Sequence, residues 1–389
     1  MRKLTGFFFL FFSVITLAQE SLFTLLDNSK TGIDFSNDLV DTKQHSIFLY
    51  ANYYGGAGVG IGDFDNDGLD DIFFAANLID DKIYRNLGNF QFEDKTEKSG
   101  IINNGSWSTG VTVADVNNDG LVDIYVSCEL YDDAPILRKN KLYINKGNFK
   151  FEESAEKWGV DVDRRTRHSV FFDYNNDGLL DLYLLNHPPN TGNFSPFFGT
   201  DMTLPEYNLQ LFENKGDHFI DVTVAAGLDR AGFPNAAVIG DFNKDGWADI
   251  YVANDFDAPD FLYFNNQDGS FSYKTESSLR HTSFYSMGVD AADINNDSHL
   301  DLMVLDMTAE DNFRLKSNMS GMNPDSFWNV VKGGGHYQYM FNTMQLNNGN
   351  NTFSDVAQLT GTAATDWSWS SLVADFDNDG NKDIYITNG

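Results

Sequence analysis

One nine-residue acidic stretch returns six times along 389 residues. It reads DFDNDGLDD from Asp63, DVNNDGLVD from Asp115, DYNNDGLLD from Asp173, DFNKDGWAD from Asp241, DINNDSHLD from Asp293 and DFDNDGNKD from Asp375. The starts lie 52, 58, 68, 52 and 82 residues apart. Self-similarity at that period restricts a chain to solenoids, propellers or arrays, because one unit alone cannot bury its apolar faces.

The rest of the unit chooses among these. A short alternating stretch precedes the loop, as in Gly110-Val-Thr-Val-Ala114, and a β-rich run follows it: Ile72-Phe-Phe, Ile124-Tyr-Val, Leu182-Tyr-Leu, Ile250-Tyr-Val, Leu302-Met-Val and Ile384-Tyr-Ile. These runs have the length and composition of strands. A third segment ends in Asn and Gly, as in Leu142-Tyr-Ile-Asn-Lys-Gly147, and suits a tight turn with positive φ. A fourth begins at Phe92, Phe151, Phe219, Phe271 or Phe353. Four antiparallel strands per unit make a propeller blade. The expected fold is all-β, a β-propeller of four-stranded blades, with five complete units, a partial sixth, and six or seven blades in the intact ring. Phe23-Thr-Leu-Leu, leading to Gly32, reads as a fourth strand without its first three, placed to complete a late blade and tie the ring shut.

Carboxylates this close repel unless a cation lies among them. Positions 1, 3, 5 and 9 of every loop carry Asp or Asn: Asp63, Asp65, Asp67 and Asp71; Asp115, Asn117, Asp119 and Asp123; Asp173, Asn175, Asp177 and Asp181; Asp241, Asn243, Asp245 and Asp249; Asp293, Asn295, Asp297 and Asp301; Asp375, Asp377, Asp379 and Asp383. The main-chain carbonyls at position 7 (Leu69, Leu121, Leu179, Trp247, His299, Asn381) supply a fifth group. Calcium takes about six to eight oxygens in flexible geometry, which suits this set better than the octahedral demand of magnesium. Glycine at position 6 permits the sharp turn, except in the fifth loop, where Ser298 stands. Five or six calcium ions are expected, with the loop at Asp293 the doubtful one. An EF-hand needs Glu at position 12 and flanking helices. Here position 12 is Phe74, Val126, Leu184, Val252, Val304 or Ile386, and the flanks are strands. Exposed turns favoured by Asp, Asn and Gly would explain a single copy, but not six with acid or amide at every ligand position.

A formal charge of −31 argues against nucleic acid, whose phosphates need a basic footprint. A single cysteine, Cys128, rules out an internal disulfide framework. At the amino terminus Arg2 and Lys3 precede an apolar run from Phe7 to Leu17, and Thr16-Leu-Ala18 offers a cleavage site. Residues 1–18 are therefore expected to be a signal peptide, and 19–389 a single propeller domain without a transmembrane segment after cleavage. The destination is export: secreted, periplasmic or cell-surface.

With these loops in view, the repeats resemble the FG-GAP/VCBS repeats of integrin-α-like propellers, in particular the cartilage-acidic-protein-like group of exported proteins. The resemblance covers roughly Phe23 to Gly389 and rests on D-x-[DN]-x-D-G-x-x-D followed by [IL]-[YF]. It implies calcium in the hairpin loops and recognition by the opposite face. Departures are plain: the nearest thing to a Gly-Ala-Pro mark is Gly55-Gly-Ala-Gly58. The seven blades common in such proteins are not all visible, and no ASPIC/UnbV segment follows. These departures give the expectation of a C-terminally truncated chain.

The face opposite the loops is aromatic. Tyr53, Tyr54, Trp107, Arg167, His168, Phe233, Tyr285, Trp367 and Trp369 are the candidate contacts for an extracellular protein or glycan. Two insertions, Pro188–Pro205 and Ala309–Gly335, decorate that side, the second with a short helix near Asp325–Val331. No G-x-S-x-G, H-E-x-x-H or C-x-x-C is present. The expectation is a binding scaffold, and the alternative is a polysaccharide lyase or hydrolase using the channel.

Overall fold

A computed structural model describes residues 22–50, 52–188, 205–256, 258–318 and 323–389. The expected signal peptide and nearly all of the first insertion lie outside them. Five four-stranded antiparallel sheets follow one another, each with its strands in chain order. In blade 1 the strands are Val59–Gly62, Asp71–Phe74, Lys82–Asn86 and Phe92–Asp94. In blade 2 they are Trp107–Ala114, Asp123–Glu129, Lys141–Asn145 and Phe151–Glu153. Blades 3, 4 and 5 begin with Arg165–Phe172, Pro234–Gly240 and Val289–Ala292. Blade 6 holds Asp366–Ala374 paired with Asp383–Asn388, and Met307–Thr308 pairs with the start of the first.

In blades 2 to 5 the second strand is buried throughout, because it lies inside a sheet and under neighbouring sheets on both faces. That is why it reads as an apolar run without alternation. Asp123–Glu129 and Asp181–His187 are buried along their whole length. Blades join face to face through apolar clusters, as where Phe64, Phe73 and Ile83 of blade 1 meet Val111, Ile124 and Tyr143 of blade 2. Burying each such side chain stabilises the ring by roughly 2 kcal/mol.

Fourth strands are shorter than the sequence suggests. Only three residues pair, and a single helical turn follows, as in Thr96–Ser99 and Ala155–Trp158. In blades 1, 2 and 5 it closes on a left-handed glycine: Gly100 has φ 89°, and a Cβ there would lie 2.4 Å from the Phe151 carbonyl oxygen of the next blade. The helix expected in the second insertion is present as Pro324–Lys332, capped by Asn323.

The amino-terminal segment does not complete blade 6. Phe23 packs against Phe376 and Tyr385 at 5.5 and 5.3 Å. The same contact joins Phe64 of blade 1 to Phe151 of blade 2, and Phe242 of blade 4 to Phe353 of blade 5. In each, a loop phenylalanine meets the fourth-strand phenylalanine of the following blade. A Cβ on Gly32 would lie 2.6 Å from the Phe92 oxygen, the relation Gly100 has to Phe151. Phe23–Gly32 thus stands where the fourth strand of a blade between the sixth and the first would stand. The facing sides there are open: Tyr385 is 43% exposed and Ile61 is 61% exposed, whereas Tyr125, Tyr183 and Tyr251 are fully covered.

Candidate metal loops and the axial cavity

All six acidic loops adopt one conformation. The position-1 carboxylate accepts two main-chain N–H groups, from Asp67 and Gly68 onto Asp63 at 3.0 and 2.8 Å, and equivalently from Asp379 and Gly380 onto Asp375. The N–H of position 7 donates to the position-5 carboxylate at Leu69, Leu121, Leu179, Trp247, His299 and Asn381. Left-handed backbone occurs twice per loop, at position 6 and also at position 4, where Asn66, Asn118, Asn176, Lys244, Asn296 and Asn378 have φ between 55° and 60°. Asparagine tolerates that region better than most residues, which accounts for its recurrence. The fifth loop matches the others despite Ser298, which takes φ 70° in place of glycine. Its carboxylate still accepts from Asp297 and Ser298.

Position 9 is the clasp between loop and sheet. Asp71 accepts from Phe64 N at 2.9 Å and from Asn86 N at 2.7 Å, and Asp123, Asp181, Asp249 and Asp301 repeat the arrangement. Burial raises these carboxyls, and neighbouring aspartates raise them further: Asp71 to about 6, and Asp123, Asp181 and Asp249 to about 7. Such a cluster carries an excess of negative charge, even in the first loop, where Arg85 lies against Asp65 and Asp67. The carboxylate oxygens of Asp63, Asp65 and Asp71 lie within 4.8 Å of one another, as do those of Asp375, Asp377 and Asp383. Asp65 Oδ1 is buried with no hydrogen-bond partner. An all-oxygen donor set with an orphaned carboxylate oxygen fits a hard cation of calcium's kind. The remaining positions 3, Asn117, Asn175, Asn243, Asn295 and Asp377, turn an oxygen inward to their own loop, accepting from the position-5 N–H.

Sequence reasoning missed the residues that link one loop to the next. In sequence the asparagine of the third strand resembles a turn former, yet the positive φ belongs to the glycine two residues on, such as Gly88 or Gly147. Asn145 Nδ2 donates to Phe64 O, Asn214 to Val116 O, Asn265 to Tyr174 O and Asn347 to Phe242 O, at 2.7–3.0 Å. Each of these asparagines ties its own blade to the loop of the blade before. Asn66 and Asn296 reach forward to Gly120 O and Gly380 O of the following loop. Recurrence of Asn at one unit position was the available signal.

On the opposite face the first strands begin and the second strands end around a cavity of about 610 Å3. Tyr54, Arg167, Asn235, Asp255, Trp367 and Trp369 line it, so residues from blades 1, 3, 4 and 6 converge on the axis. Arg167 donates to Gly55 O at 3.3 Å and lies 3.6 Å from the buried Glu129. The second insertion reaches the mouth through Arg314, paired with Asp366 at 2.9 Å. Burial, with Asp306 adding to it, lifts the Asp255 carboxyl to about 7.

The candidate contacts divide. Tyr54, Arg167, Trp367 and Trp369 face the cavity. Tyr53 and Trp107 are core residues packed with Tyr50. Phe233 is buried edge-on to His187 and Phe256. His168 packs against Gly110, and Tyr285 lies edge-on to Phe256 and Phe284.

A family model described as FG-GAP-like repeat matches residues 63–126, 241–304 and 323–386. No curated protein matches the sequence. Among solved structures, an Agrocybe aegerita lectin that recognises non-reducing terminal N-acetylglucosamine is 18% identical, with a TM-score of 0.46 over 83% of this chain and 72% of that one. The V. cholerae biofilm matrix protein Bap1 is 15% identical, at a TM-score of 0.30 over 57% and 30%. A GH43 β-1,3-galactosidase is 11% identical, at 0.33 over 64% and 85%. No helix among the described residues is long and apolar enough to cross a membrane. With its repeats matched by that model and its sheets set as successive blades, the chain is an FG-GAP-repeat β-propeller protein.

Proposed function

We propose that the chain is an exported recognition scaffold, stabilised by calcium in the acidic loops, that holds a glycan or a protein surface at the axial cavity. The observation carrying the recognition reading is that cavity. Three aromatic side chains (Tyr54, Trp367, Trp369) stand beside a guanidinium, an amide and a carboxyl at the meeting point of several blades. Aromatic faces stack on sugar rings or apolar side chains, and the polar groups fix orientation. Calcium supplies charge neutralisation at the loops, and the loops are bonded to neighbouring blades, so the ion would brace the ring that shapes the cavity.

The test is binding to a panel of immobilised glycans in millimolar calcium. Trp367→Ala and Trp369→Ala should each weaken the captured ligand at least tenfold, about 1.4 kcal/mol, with the melting temperature unchanged. Retained binding in both variants would contradict the site. Export predicts a mature protein beginning at Gln19, read by mass. One observation favours a second reading, a polysaccharide-acting enzyme: Asp255, raised to about 7, lines the cavity as a carboxylic acid poised near neutrality. Turnover of a polysaccharide that Asp255→Asn abolishes would establish it, and absence of turnover across the same panel would remove it.

A further inference from the structure

The six loops are alike in backbone but not in surroundings. The difference comes from the third-strand residue just before the clasping asparagine. In blades 2, 4 and 5 that residue is uncharged: Ile144, Phe264 and Leu346. In blade 3 it is Glu213, whose Oε1 accepts from the position-3 side chain of its loop, Asn175 Nδ2, at 3.3 Å and is paired with Lys215 Nζ at 2.5 Å, so its charge is already balanced. In blade 1 it is Arg85. Its Nε lies 2.7 Å from Asp65 Oδ2, and its Nη2 lies 2.9 Å from Asp67 Oδ2. The guanidinium therefore rests on positions 3 and 5 of the first loop, two of the carboxylates an ion would need.

A second feature points the same way. The hollow beside the first loop is lined by Asp65, Arg85, Lys95, Lys98 and Lys150. Lys95 is paired with Glu93 at 2.7 Å, and Lys150 donates to the Lys98 carbonyl. This is a basic corner in a chain of net charge −31. A divalent ion entering the first loop would meet this field as well as the tethered guanidinium. The first loop has four acids at its ligand positions where loops 2 to 5 have three, so charge count alone would rank it among the tightest.

We propose that Arg85 is a tethered counter-cation that makes the first loop the weakest calcium site among blades 1 to 4. This rests on the calcium reading of the loops. Arg85 neutralises Asp65 and Asp67 when calcium is scarce, and calcium must displace it to bind. A unit charge held a few Å from a divalent ion at water-like screening weakens binding by about tenfold.

The experiment is a calorimetric calcium titration of the full chain, wild type beside Arg85→Gln and Arg85→Lys, with bound metal counted by mass spectrometry under native conditions. The expected result is a wild-type isotherm with one site at least tenfold weaker than the main class. Arg85→Gln should draw that site into the main class without changing the total count, while Arg85→Lys stays close to wild type. Adding Asp65→Asn to Arg85→Gln should weaken one site again, which assigns it to the first loop. Calcium binding by all the proteins with identical isotherms would overturn the role of Arg85 alone. No calcium bound by any of them would overturn the calcium reading, and this inference with it.

Discussion

Asp255 shows how one residue couples the cavity to stability. The fold raises its carboxyl to about 7 by burial, with Asp306 adding to the shift. A raised acid is favoured in its protonated form by the folded state. Its contribution is complete below the unfolded value near 4, and is lost as pH rises through about 7. In chelator, the stability of Asp255→Asn relative to wild type should therefore increase from pH 4 to pH 7, read from urea midpoints. A relative stability that falls over that window would mean Asp255 is held ionised by Arg167. At this scale the sequence was only partly legible. Alternation and composition marked Trp107 and Trp367 alike as aromatic residues on first strands. Only packing separates the one held in the core with Tyr50 and Tyr53 from the one beside the cavity.

At the level of elements, loop, strand and blade junction are one bonded unit. Asn265 makes the case: it donates to Tyr174 O at 2.8 Å in the preceding blade and to Ala248 O at 3.2 Å, and accepts from Gln267 N at 2.9 Å. Removing the side chain leaves buried carbonyls unpaired, so Asn265→Ala should cost about 2–3 kcal/mol in urea unfolding. A cost below about 0.5 kcal/mol would show that solvent replaces these bonds. The strands, their order and the loop positions were readable because period-2 and apolar-run patterns are local. The short fourth strands were not, because a helical turn closed by Gly100 is selected by the close approach of Phe151 in the next blade. The inter-blade bonds of Asn145, Asn214, Asn265 and Asn347 were hidden for the same reason, since their acceptors lie 81, 98, 91 and 105 residues away in sequence.

Across the whole molecule, the repeat period announced a propeller, and the apolar clusters between successive blades are what the period requires. What the period could not place was the segment Phe23–Gly32, whose position follows from contacts with blades 6 and 1 rather than from its own composition. The loops all lie on one face, and those of blades 1 to 4 are each bonded to the blade that follows by one recurring asparagine. Charge neutralisation in them should therefore act on the ring as a body and not loop by loop. The most direct measurement is thermal unfolding of residues 19–389 in millimolar calcium and again in chelator, with bound metal counted. Calcium should raise the melting temperature by many degrees, with a single cooperative transition and five or six ions per chain. An unchanged melting temperature with no metal bound would contradict the calcium reading and leave the loops as acidic turns.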